Sequence, residues 1–220
     1  MLKSHQNPLF EQREEPAADV TNIKQPTVHK RRRQHRRELR DCRAAETAAA
    51  AIGEIKKDEE VFGLTKEQFS LIDVVKHVLD HTGPADLTIS TWTAAKAELG
   101  SVLDFTRNGS VTSMRWLVDL SFQRRAHELA NEIRKTFGAD SIRVAQNHAK
   151  FTMLRNADWD IVIRTSMNLN QNPRLEDFTL AHDPELAGFL GGIVDEIWHR
   201  QPARLAFDGS KAGSRWFAGF

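Results

Sequence analysis

His148 and Lys150 stand two positions apart in the stretch NHAKF, at what reads as the start of a β-strand. Side chains at i and i+2 leave the same face of a strand, so the spacing predicts an imidazole and an ammonium side by side, with Ala149 and Phe151 on the other face. Such a pair suits a phosphate, because the ammonium supplies charge and donors while the imidazole can act as a nucleophile or an acid near neutral pH. Ser166 and Asn168 repeat the i, i+2 relation in SMNLNQNPRLEDF, at the end of the following strand and beyond a turn at RNADW. The four side chains are expected to converge on one patch, with donors for phosphate oxygens and one potential nucleophile. Glu176 supplies a carboxylate that can accept from the second imidazole nitrogen and fix its tautomer.

Other candidate groups are weaker. His77 and His81 have the i, i+4 spacing of a helical ligand pair, but no third ligand has an evident placement, so they read as surface residues and no metal site is expected. Asn170 and Asn172, beside Pro173, read as loop formers. Cys42 is the single cysteine, which excludes an internal disulfide and argues against a Cys-rich zinc site.

The balance of 31 basic and 30 acidic side chains gives a formal net charge of +1, yet the distribution is uneven. Residues 30–43, KRRRQHRRELRDCR, set Lys30, Arg31, Arg32, Arg33, Arg36, Arg37, Arg40 and Arg43 against only Glu38 and Asp41. A block of this kind is the electrostatic footprint of nucleic-acid contact, although a targeting signal or a solvated arm has the same composition. No apolar run approaches the roughly 18 residues of a membrane span. The first residues lack the basic-then-apolar pattern of a secretory leader, so a cytoplasmic protein is expected.

The elements that must position these groups follow from periodicity. Residues 1–29 are polar, contain Pro8, Pro16 and Pro26, and read as disordered. The basic block runs into RAAETAAAAIGEIKK, whose alanines predict a helix over about 31–58, so that 1–63 forms a disordered and basic helical arm. Order is expected from near Thr65, with Thr65 and Gln68 as a capping box. Helix, strand (DLTISTW), helix (TAAKAELGSVLDF), strand (MRWLVDLSF) and helix (RRAHELANEIRKTFG) follow, then three strands (SIRVAQ, HAKFTML, DIVIRTS) and a closing helix from about Asp183 to His199. This order describes an α/β domain with a mixed central sheet flanked by helices, over 64–200. The ending, 201–220, is a flexible tail carrying Trp216, Phe217 and Phe220, which suit a protein partner or a sister chain.

The run His148-x-Lys150, Ser166-x-Asn168 and Glu176, with DPELAGFLGGIVDEIW behind it, resembles the His-x-Lys half-motif of the phospholipase D superfamily, nearest to its small single-motif nucleases. The likeness covers roughly 64–200. It departs from the family pattern at Arg155, where members carry an Asp, and at Thr165, where they carry a Gly; Asp158 is the candidate replacement for the Asp. The resemblance implies a phospholipase D-like half-domain and a homodimeric, metal-independent phosphodiesterase that needs no cofactor. In it His148, Lys150, Asn168, Glu176 and Ser166 carry the chemistry, and nucleic acid, DNA first, is the substrate. A lipid substrate fits less well, because no interfacial amphipathic helix with large aromatics is present in the sequence. The rival expectation is a catalytically inactive DNA-binding or assembly protein of a phage or mobile element, which keeps the fold while Arg155 and Thr165 mark lost activity.

Overall fold

The computed structural model describes residues 35–170 and 173–201. Expectations for Lys30, Arg31, Arg32 and Arg33, for the rest of 1–34, and for the tail aromatics fall outside those residues.

The chain alternates strands and helices: β1 (Arg36–Asp41), α1 (Ala48–Ile52), β2 (Glu59–Lys66), α2 (Leu71–Thr82), β3 (Ala85–Thr91), α3 (Lys96–Arg107), β4 (Val111–Asp119), α4 (Leu120–Arg125) and α5 (His127–Phe137). A short 3-10 turn then leads to β5 (Ile142–Ala145), β6 (Phe151–Arg155), β7 (Asp160–Thr165), β8 (Leu175–His182) and α6 (Pro184–Arg200). One eight-stranded sheet collects all the strands, in the order β1-β2-β8-β7-β6-β3-β4-β5. Strands β3, β4 and β5 are parallel, as helical crossovers require, whereas β6, β7 and β8 form an antiparallel meander.

Alternation along the strands divides the core. Leu154, Ile161, Ile163, Phe178 and Leu180 join the large cluster with α1, α2, α3 and α5, while Phe151, Met153 and Val162 pack on Ala187 and Val194 of α6. The sheet is thereby a middle layer with helices on both faces. Helix α2 begins at Ser70, whose hydroxyl and the Asp73 carboxylate make a reciprocal capping box, and it buries Leu71, Ile72, Val74, Val75, Val78 and Leu79. On β2, Gly63 lies opposite Phe178, and a Cβ there would stand 2.5 Å from two ring carbons. The glycine lets the Phe178 ring lie flat over β2 and meet Phe69 edge-on at 6.1 Å.

Several expectations are corrected. Residues 36–58 are not one helix: strand β1 and the five-residue α1 replace it, and ordered structure already includes His35. The reason is non-local, since β1 pairs in parallel with β2 and brings Arg36 and Arg37 opposite Glu59 and Glu60, so the sheet neutralises what an isolated helix would leave repelling. Thr65 is the penultimate residue of β2 and not a helix cap; the box belongs to Ser70 and Asp73. Strand β4 stops at Asp119, whose carboxylate caps α4, so Leu120–Arg125 is helical. Strand β8, with Phe178 and Leu180 buried at period two, is an element additional to the expected three late strands. His148 and Lys150 precede β6, which begins at Phe151. Among the described residues no helix is long and apolar enough to cross a membrane.

Candidate active site

After β5, at one edge of the parallel strands, the chain must cross the ends of β4 and β3 to reach the β6 position. Residues 146–150 make that crossing, and they carry His148 over the carboxyl ends of β3 and β4. Ligands of open α/β sheets lie in that location, because the crossing chain leaves a crevice above the strand ends.

The crossing is tied down at both strands. The Asn147 amide donates to Asp119 Oδ2 at 3.2 Å, and its carboxamide donates to the Leu117 carbonyl at 3.3 Å and to Ser90 Oγ at 3.0 Å. Asn147 Oδ1 accepts from the Ala149 amide at 3.0 Å, while Ser90 Oγ donates to the Ala149 carbonyl at 2.9 Å. His148, between these fixed peptides, is exposed, and its ring lies 5.9 Å from that of Trp92 at 53°. Lys150 Nζ reaches back to the His148 carbonyl at 3.4 Å.

The second pair follows the end of β7. The Thr165 amide donates to the Lys150 carbonyl at 3.3 Å, which holds the end of β7 against the start of β6. Ser166 and Asp177 exchange hydrogen bonds beyond the last regular pair of β7 and β8, and the Ser166 hydroxyl donates to the Glu176 carboxylate. The stretch after Ser166 then docks on the loop after β3, where Leu169 bonds with Thr93 and with the Ala95 amide. That docking brings half-buried Asn168 beside the loop that carries Trp92. Asn168 Oδ1 is buried and has no hydrogen-bond partner among the described residues.

Sequence-predicted residues thus meet at one end of the sheet. His148 and Lys150 share the crossing, Lys150 is joined through the backbone to Thr165, Ser166 bonds Glu176, and Asn168 sits on the loop that bears His148's ring neighbour. A cavity of about 590 Å³ opens beside them, lined by Lys150, Phe151, Arg164, Thr165, Ser166 and Asp177 among others, but not by His148, Asn168 or Glu176. Arg164, unremarked in the sequence, has no carboxylate partner among the described residues, so it places a second unpaired cation in this wall. Thr165 lines the cavity too, but its hydroxyl is turned to the chain, donating to the Asp177 carbonyl at 2.6 Å and accepting from the Met167 amide at 2.9 Å. Asn147, Ser90, Asp119 and Trp92 were also missed; the one local signal was Asn147's place immediately before the His-x-Lys pair.

Arg155 occupies the far end of β6 and bonds Asp160, its cross-strand partner on β7, at 2.6 Å. Asp158, the candidate replacement for the acid, lies in the turn, its amide donating to Asn156 Oδ1 at 3.0 Å.

The basic block behaves differently. Arg36 pairs with Glu59 and Glu38, Arg37 with Glu60 at 2.5 Å, Arg40 with Glu38, and Arg43 with Asp41 at 2.6 Å. Hydrogen bonds from Arg43 hold the Asp41 carboxyl down at about 2. Each of these four guanidinium groups already has an intramolecular carboxylate. Among the described residues no group of three or more His, Cys, Asp or Glu is arranged to hold a metal ion.

No family model and no curated protein matches the chain. Among solved structures it is similar to a polyphosphate kinase from Porphyromonas gingivalis, at 11% identity and a TM-score of 0.48, over 66% of this chain and 27% of that one. It is likewise similar to Nuc from Salmonella typhimurium, a phospholipase D family member, at 17% identity and a TM-score of 0.43, over 64% of this chain and 94% of Nuc. NucT from Helicobacter pylori shows 12% identity and a TM-score of 0.44, over 64% of this chain and 97% of NucT.

Proposed function

We propose that the chain is a metal-independent phosphodiesterase that cleaves nucleic acid, DNA first, through a phosphohistidine formed in an active site shared by two copies. One observation carries the reading: the two i, i+2 pairs, distant in sequence, are fastened to the same end of β3 beside a cavity walled by Lys150 and Arg164.

In the proposed reaction a ring nitrogen of His148 attacks phosphorus as the bond to the leaving oxygen breaks, and His148 of the second copy, protonated, gives that oxygen its proton. Water then attacks phosphorus, the neutral second imidazole takes its proton, and the nitrogen–phosphorus bond breaks, restoring both histidines. Lys150 and the Asn168 amide donate to the non-bridging oxygens, where charge develops. Glu176 accepts from the Ser166 hydroxyl, whose oxygen in turn accepts from the Asp177 amide, so these two residues brace the chain after β7 beside the phosphate. Because Arg36, Arg37, Arg40 and Arg43 are paired, the electrostatic tether of this reading rests mainly on Lys30, Arg31, Arg32 and Arg33, with Arg164 at the cavity itself.

A second reading, a binder without catalysis, is favoured by Thr165, which puts a side chain in the cavity wall. One assay separates the two: cleavage of single- and double-stranded DNA in excess EDTA, wild type beside His148→Ala, with sedimentation mass measured on the same samples. The expected result is cleavage that survives chelation, disappears in the variant and comes from a dimer. Salt-sensitive binding by both proteins without cleavage by either selects the second reading, and cleavage that EDTA abolishes overturns metal independence.

A further inference from the structure

We infer that Asn147 and Ser90 are positioning residues: together they clamp the amide and carbonyl of Ala149, next to His148, to the ends of β3 and β4, and so set where the imidazole stands. The inference rests on the proposed reaction for its purpose, but its geometry is independent of it.

The crossing from β5 to β6 has no ladder of its own, since regular pairing resumes only at Phe151. A segment without a ladder and with an exposed ring would sample many orientations, each residue freed adding backbone entropy. Instead, the amide and carbonyl of Ala149 are both engaged, the first by Asn147 Oδ1 at 3.0 Å and the second by Ser90 Oγ at 2.9 Å. The amide before His148 is held by Asp119 at 3.2 Å. Asn147 and Ser90 are 7% and 1% exposed, and burial of polar groups is tolerated only when they are satisfied. Here the account closes: both N–H groups and the oxygen of the carboxamide are used, and the Ser90 hydroxyl both accepts and donates. A closed network in a buried setting has one arrangement, which is what a nucleophile needs from its supports.

The same hydrogen bonds account for the residue types. Aspartate at 147 would keep the acceptor for Ala149 but lose both donors and set a carboxylate against the Leu117 carbonyl. Alanine at 90 would leave the Ala149 carbonyl and one Asn147 N–H without partners while changing little volume. Misplacement of a reacting group by an ångström lowers turnover by about 100-fold.

The test compares full-length wild type, Ser90→Ala and Asn147→Ala by three measurements: the His148 ring NMR signals, assigned with His148→Ala; kcat and KM for DNA cleavage in EDTA; and the amide exchange rate of Ala149 in the wild type. The clamp predicts shifted or broadened His148 ring signals, kcat lower by about 10- to 100-fold with KM within about 2-fold, and a slowly exchanging Ala149 amide. Ring signals identical to wild type in a folded Ser90→Ala protein overturn it, whatever kcat does. So does unchanged kcat with displaced ring signals, or an Ala149 amide that exchanges at the rate of an open loop. Should the wild type fail to cleave DNA, the reaction falls, and the clamp is judged on the ring signals and amide exchange alone; those two outcomes remain separate even if both variants misfold, because the exchange rate is read from the wild type.

Discussion

Two cationic regions of this molecule use the same side chains for opposite ends. On β1 and just after it, Arg36, Arg37, Arg40 and Arg43 each meet a carboxylate: Arg36 and Arg37 fasten the edge strand to Glu59 and Glu60 of β2, while Arg40 and Arg43 pair with Glu38 and Asp41 of their own segment. At the mouth of the β6–β7 hairpin, Lys150 meets only the His148 carbonyl and Arg164 meets no carboxylate among the described residues. A phosphate is drawn to charge that is uncompensated and reachable, not to the number of basic residues in a window. Arginine density therefore marks a structural seam in one region, and two sparse cations mark the candidate site in the other. Substitutions in the first region should move stability and leave cleavage per folded molecule alone; in the second the reverse should hold.

The largest effect is expected at Lys150. In the proposed reaction Lys150 donates to the developing charge, so kcat for DNA cleavage should fall by about 100- to 1,000-fold in Lys150→Ala, while the thermal midpoint stays at the wild-type value, because the Nζ group has one long bond to a backbone carbonyl. A midpoint that drops together with kcat would erase the distinction between the regions. Gly63→Ala is the counterpart in the structural half. Its new methyl would stand 2.5 Å from the Phe178 ring and 3.1 Å from Cys42 Sγ, so the ring must shift within a filled core. Overpacking of this type destabilises by about 1–3 kcal/mol, readable by urea unfolding, with cleavage per folded molecule unchanged.

A sharper comparison pairs Arg164→Ala with Arg37→Ala. Each removes one positive charge, but only Arg164 has its charge free in the cavity, whereas Arg37 neutralises Glu60. The logarithmic salt dependence of DNA binding should lose about 1 in slope for Arg164→Ala and stay unchanged for Arg37→Ala. Equal losses in the two variants would show that carboxylate pairing does not silence an arginine toward phosphate.

What the sequence disclosed follows the range of the interactions involved. The half from α2 to β4 was legible because its signals are local: Ile72, Val75 and Leu79 recur at helical spacing, and β3 and β4 contain branched residues. Strand β1 was not legible, because the partners that make its arginines compatible with a sheet, Glu59 and Glu60, stand on another strand joined by a helix. Strand β8 hid its Phe178 and Leu180 alternation behind Glu176 and Asp177 and a preceding Asn- and Pro-containing loop. The candidate residues His148, Lys150, Ser166 and Asn168 stand out by type and spacing, whereas the groups that hold them in place do not. Asn147 acquires its meaning from Ser90, 57 positions earlier, and no periodicity reports a contact of that separation.

The smallest expected effect lies at the turn end of the same hairpin, opposite the candidate site, where His182 is built into the sheet as a neutral acceptor. Its Nδ1 accepts from the Asp160 amide at 3.0 Å, and its ring meets Trp159 edge-on at 5.5 Å. Burial holds its pKa below the ordinary value of 6.5, the nearby Lys57 ammonium pushes in the same direction, and Asp160 opposes them. For a base whose folded pKa is lowered, the unfolded chain binds the extra proton first, so stability is complete above the unfolded value and declines as pH falls through the folded one. The thermal midpoint of the wild type should therefore decrease as pH drops below about 6.5, the unfolded histidine value. His182→Asn keeps an acceptor for the Asp160 amide but cannot titrate, so the wild-type and variant midpoints should converge on acidification from pH 7 toward 5, the variant having lost only the ring's packing on Trp159. Since this histidine is remote from the cavity, DNA cleavage per folded molecule should follow the same pH profile in both proteins. A change in that profile would mean that the two ends of the hairpin are coupled through β6 and β7.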